Sequence, residues 1–151
     1  MATAQFGRVI TAMITPFTED GAVDYESAVA LAKHLVAHGS EGLLVGGTTG
    51  EGATMTAEEK LKLYTLIVDA VGKRGEGKKV PVMGNIGTIS TADTIAFGNK
   101  AKETGIDCAL VIVPFYVKPN QEGMYQHFTA VAKGVDLPLV LYLSLIHISE
   151  P

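Results

Sequence analysis

One cysteine in 151 residues leaves nothing for an internal disulfide to join. A disulfide scaffold is excluded, and a reducing compartment fits. Charge is scarce too: charged residues make up 19% of the chain, for a net charge of −4. The basic stretches "GKRGEGKK" and "NKAKE" are short solvated runs, so no surface for nucleic acid or anionic lipid is expected. No apolar stretch reaches membrane-spanning length, and the N-terminus lacks a basic-then-apolar leader pattern. A cytoplasmic protein with neither nucleic-acid nor membrane partner is the expectation. "HLVAH" spaces His34 and His38 four apart on a helix, but without the adjacent glutamate or third ligand of a zinc site. No metal is expected, and no cofactor.

What is present is apolar: 47% of the residues, enough to bury the core of one domain. Five β-branched runs begin at Val9, Gly42, Val80, Cys108 and Leu139. Near-continuous apolar runs suit strands buried on both faces of a parallel sheet. Cys108, inside "CALVIVP", reads as a small buried thiol. Between the runs lie helix-period segments. Ala28, Leu31, Ala32, Leu35 and Val36 form one face, and Leu63, Leu66, Ile67, Ala70 and Val71 form another. Thr56 and Glu59 make a capping box, Ser90 or Thr91 caps a third helix that closes at Gly105, and Met124, Phe128 and Val131 mark a fourth. The repeat predicts a right-handed βα succession. An open nucleotide-binding sheet would carry a glycine-rich turn after its first strand, whereas this strand ends "TPFTEDG". The expectation is a truncated (β/α)8 TIM barrel: the first four βα units and the fifth strand.

In such folds chemistry collects at the C-terminal ends of the strands. Those ends read Thr15-Pro16-Phe17, "GGTTGE" (46–51), "GNIGT", "PFYVKP" and Tyr142. They are rich in hydroxyls and poor in acids, histidines and thiols, which suits proton relay and anion capture. "GGTTGE" could cradle a small carboxylate with backbone N–H groups, or could simply be a turn. It lacks the GK[ST] of a phosphate loop. Phe115 and Tyr116 serve either packing or chemistry.

Taken in order, "VITAMITPFTEDGAVD", "GGTTGE", "PFYVKPNQEGMYQHF" and "LPLVLY" resemble the dihydrodipicolinate synthases, within the superfamily of lysine-dependent pyruvate aldolases and N-acetylneuraminate lyases. The resemblance covers about residues 5–142. It implies a lyase of lysine and diaminopimelate biosynthesis, in which pyruvate forms a Schiff base with a barrel lysine and the enamine attacks aspartate-4-semialdehyde. By position, Tyr142 matches the general acid/base, Thr48 the relay hydroxyl beside it, and Tyr116 the relay member that crosses into a partner subunit's site. Thr49, with Gly47, matches the group holding the pyruvate carboxylate. The resemblance also implies a homodimer or homotetramer. Ala57, Lys60 and Phe115 depart from the histidines and tyrosine of lysine-inhibited members, so no lysine feedback is expected.

The likeness stops at Tyr142. Residues 143–151, "LSLIHISEP", resemble translated adapter sequence, and the expectation is an N-terminal barrel portion over 1–142 followed by a foreign tail. Lys33, Lys60, Lys62, Lys100, Lys102 and Lys133 fall on helices, Lys73, Lys78 and Lys79 fall in a loop at the wrong end, and Lys118 falls on an exposed loop. No lysine stands where a Schiff base would form, and the chain alone is expected to be inactive. Two alternatives remain: another aldolase of the superfamily (N-acetylneuraminate lyase or a 2-keto-3-deoxy sugar acid aldolase), or a non-catalytic half-barrel binding a small carboxylate.

Overall fold

A computed structural model of the chain describes residues 6–143. The expectation of a foreign tail therefore falls, but for Leu143, outside the described residues. Five strands, β1 (Ile10–Ala12), β2 (Gly42–Val45), β3 (Val82–Asn85), β4 (Cys108–Ile112) and β5 (Leu139–Tyr142), alternate with four helices, α1 (Tyr25–Ala37), α2 (Ala57–Val71), α3 (Thr91–Glu103) and α4 (Gln121–Gly134). The strands form one parallel sheet in the order β1-β2-β3-β4-β5. A doubly wound sheet reverses its order at a switch point. This one never reverses, so it is half of a (β/α)8 barrel, as the repeat predicted.

Strand alternation separates two cores. Leu43, Val45, Val82, Ala109 and Val111 face the helix layer and pack with Leu63, Ile67 and Val131. Met83, Cys108 and Leu110 face the barrel interior, with Leu44, Ile112, Val140 and Phe6 against them. Cys108 is fully buried there, and burial with the nearby Asp107 charge pushes its thiol up to about 12, an inert core thiol.

Helix starts follow the local chemistry. The Thr56 hydroxyl accepts from the Glu59 N–H at 3.2 Å, while Glu59 Oε2 accepts from the Thr56 N–H at 2.8 Å. The side chains of Asp24, Ser90 and Asn120 each accept the N–H three residues on and cap the other helices without the return bond. Such a cap stabilises by about 1 kcal/mol. β1 and β3 are shorter than their apolar runs. β3 starts at Val82 because Pro81 has no N–H for the ladder, although its carbonyl accepts from Leu43. β1 ends at Ala12, with one further bond from Met13 N–H to Leu44, before Pro16 turns the chain away.

Each edge strand has one neighbour among the described residues, and apolar side chains are bare there: Val9 and Leu141 are both 54% exposed. No described helix is long and apolar enough to cross a membrane.

Candidate functional site

The loop leaving β2 is four-sevenths glycine over residues 46–52, so its shape must come from its surroundings. Gly46 lies in the left-handed region, at φ +66°. The N–H groups of Gly50 and Gly52 both turn back onto the Gly47 carbonyl, at 3.1 and 3.0 Å, and Glu51 N–H reaches Thr48 O at 3.1 Å. Close approach is needed at Gly52, where a Cβ would lie 1.9 Å from the Gly46 oxygen.

Two buried groups grip this loop, and a third holds one of them. The Thr15 hydroxyl donates to Gly50 O at 2.7 Å. The Asn85 side-chain amide donates to Gly46 O at 3.0 Å. The Tyr64 hydroxyl donates to the Asn85 carbonyl at 2.7 Å, and burial raises its pKa so far that it stays a neutral donor. The gripped side is the buried side; Gly47 is buried, while Thr48 and Thr49 are exposed. Their backbone N–H groups have no backbone partner among the described residues. Two exposed hydroxyl residues whose N–H groups have no backbone partner among the described residues thus sit side by side, donors that a small anion could use.

Tyr142 pairs with Ile112 in the β4–β5 register. It alternates with Val140, so both face the barrel interior, and Tyr142 is 53% exposed at the open C-terminal rim. Tyr116 is different. Val117 N–H bonds Phe115 O at 2.8 Å around Tyr116 at φ +69°, a γ-turn of the strained hand, and the side chain is 93% exposed. Such a backbone costs about 1–3 kcal/mol. Thr48 and Thr49 therefore share one loop and Tyr142 shares their end of the sheet, while Tyr116 stands almost fully exposed in the loop after β4. None of the described hydrogen bonds joins Thr48, Tyr116 and Tyr142 to one another.

The lysines lie where the sequence put them. Lys60 and Lys62 sit over the rings of Phe97 and Tyr25, at 4.6 and 4.1 Å to the ring centres. Burial lowers the pKa of Lys60, but its amine is committed to the helix layer. Lys102 pairs with Asp136, and Lys118 is exposed at φ +43°. His34 and His38 stack at 4.0 Å on the exposed face of α1, and no metal-holding cluster occurs among the described residues. A cavity of about 220 Å³, lined by Lys33, Val36, Ala70, Val71 and Lys78, opens at the C-terminal ends of α1 and α2, the opposite end from the hydroxyls.

Sequence reasoning missed Tyr64, Asn85 and His127. The available signals were a polar residue closing a buried strand (Asn85) and a histidine three residues after Met124 on the buried face of α4.

The sequence matches the model of the dihydrodipicolinate synthetase family over residues 5–144. It is 55% identical over 137 residues to the 4-hydroxy-tetrahydrodipicolinate synthase of Symbiobacterium thermophilum, covering 91% of this chain and 45% of that protein. The dihydrodipicolinate synthase of Bacillus anthracis superposes with a TM-score of 0.86 at 43% identity, covering 93% of this chain and 46% of that one. The Acinetobacter baumannii enzyme, solved in complex with pyruvate, superposes with a TM-score of 0.84 at 38% identity, covering 90% and 45%. The chain spans less than half the length of the curated relatives it matches.

Proposed function

Since the chain belongs to the dihydrodipicolinate synthetase family, we propose that its hydroxyl-lined face is the pyruvate side of a 4-hydroxy-tetrahydrodipicolinate synthase. The observation that carries this reading is the exposed pair Thr48 and Thr49, their N–H groups without backbone partners among the described residues, on a loop braced by buried side chains. A relative of this fold was solved with pyruvate bound, which supports pyruvate as the anion.

In the whole enzyme a lysine amine condenses with the pyruvate ketone, releasing water, and the derived enamine carbon attacks the aldehyde of aspartate-4-semialdehyde. Thr49 and the Gly47 backbone hold the pyruvate carboxylate. Tyr142, on the interior rim at the end of β5, moves the protons of imine formation and release. A lone phenol is a poor base at neutral pH. Thr48 and a Tyr116 phenol reaching across from a partner subunit pass its proton on in short steps. The strained, exposed Tyr116 fits a side chain built to serve a neighbouring copy in a homodimer or homotetramer.

No lysine of this chain lies on the interior rim, so the 151-residue chain by itself binds pyruvate without covalent capture and does not turn over. The test is pyruvate with borohydride, read by mass, alongside a condensation assay with the semialdehyde and an NMR titration. We expect no adduct, no turnover, and pyruvate-dependent shifts of the Thr48 and Thr49 amides. A reduced adduct would overturn the lysine assignment; unshifted Thr48 and Thr49 amides would overturn the carboxylate site.

A further inference from the structure

The Gly46–Gly52 loop closes on itself only through the Gly47 and Thr48 carbonyls, and glycine-rich backbone otherwise samples many conformations. Thr15 holds its Gly50 end, and what holds its Gly46 end comes from β3. Asn85 is buried, and both ends of its side-chain amide are committed: Nδ2 donates to Gly46 O at 3.0 Å and Oδ1 accepts from Gly87 N–H at 3.2 Å. The amide orientation follows, since each end faces a group of the opposite kind. The Asn85 carbonyl is itself held by the Tyr64 hydroxyl. One side chain thus ties the exits of β2 and β3 together, directly beneath Thr48 and Thr49.

We infer that Asn85 is a positioning residue of the carboxylate site: by pinning the Gly46 carbonyl it keeps the Thr48 and Thr49 donors turned outward in a single arrangement. The inference rests on the pyruvate reading of that loop. A loop free to reorient would bind the anion only in its competent fraction, and the apparent affinity would fall by that fraction.

The test uses the 151-residue chain, with pyruvate titrated against the Thr48 and Thr49 amide signals at a temperature well below the unfolding of every variant. Asn85→Asp keeps the shape and the acceptor for Gly87, but sets a carboxylate oxygen against the Gly46 carbonyl. At about pH 8 it should bind pyruvate at least about tenfold more weakly than wild type, the effect of one lost buried hydrogen bond. Towards about pH 5 the introduced carboxyl takes up a proton, its O–H donates to Gly46 O, and affinity should recover. Wild type should stay flat over that range, and Asn85→Leu should stay weak throughout. A residue that only contributed stability would show no such pH profile.

Hydrogen exchange gives a second readout without ligand: the Gly50 and Gly52 amides should exchange about tenfold faster in Asn85→Asp at about pH 8 than in wild type. Asn99→Asp is the control, because the Asn99 amide also donates to a backbone oxygen (Gly134, 3.1 Å) but far from this loop. It should change neither readout. Wild-type affinity and exchange in Asn85→Asp at about pH 8 would overturn the inference, and so would a loss that low pH does not restore. If pyruvate shifts neither amide in wild type, the carboxylate reading fails instead. Exchange at Gly50 and Gly52 then still decides whether Asn85 holds the loop.

Discussion

Alanine at Gly46 should be costly, and most of the avoidable cost should come from a single oxygen atom. The backbone there has φ +66°, which disfavours an L side chain by about 1–2 kcal/mol. The new Cβ would lie 2.8 Å from the Tyr64 hydroxyl oxygen, with ring carbons at 3.2 and 3.4 Å. That oxygen has little room to yield, being fully buried and donating to Asn85 O at 2.7 Å. Overpacking of this kind adds about 1–3 kcal/mol. Gly46→Ala should therefore destabilise the fold by about 2–5 kcal/mol.

Tyr64→Phe removes the obstructing oxygen and also strips a buried carbonyl of its donor, at about 1–3 kcal/mol. The two changes should not add. In the double variant the alanine methyl meets only the ring edge, so the pair should be less destabilising than the two single effects combined by about 1–3 kcal/mol. Urea unfolding by far-UV circular dichroism, at one protein concentration and with equal slopes, measures all four corners of the cycle. Additivity to within about 0.5 kcal/mol would refute the claim that the phenol sets the β2 exit.

His127 is 4% exposed, shares a 2.9 Å hydrogen bond with the Thr91 hydroxyl, and has a buried Nε2 with no partner among the described residues; burial holds its pKa below the ordinary 6.5. The unfolded chain then takes up the proton first, so stability present above pH 6.5 is lost as the pH falls below it. His127→Gln should flatten that part of the profile, and an unchanged slope would refute the assignment. The bare edges of β1 and β5 should make the 151-residue chain associate with rising concentration in light scattering. A monomer that persists at high concentration and melts in one sharp transition would contradict this.

The candidate site residues and the residues that hold their loop in place were unequally legible, for a physical reason. Thr48, Thr49 and Tyr142 could be placed from the sequence because a parallel βα succession sends its strand ends to one face, and period and capping locate the strands. The strained exposure of Tyr116 could not be seen, but its place after β4 could. Tyr64 was overlooked because it follows Leu63 in α2 and looks like one more helix position; the partner of its hydroxyl lies 21 residues on. Asn85 reaches back 39 residues to Gly46. That contact exists only because the register sets Val45 beside Gly84, placing the next residues of the two strands together. His127 was passed over because a hydrophobic stripe is found by looking for apolar side chains, and its contact to Thr91 spans 36 residues. The candidate substrate-facing residues show themselves as local motifs at strand ends. The Asn85 amide and the Tyr64 hydroxyl that brace them donate to backbone oxygens 39 and 21 residues away, and only the fold makes those partners neighbours.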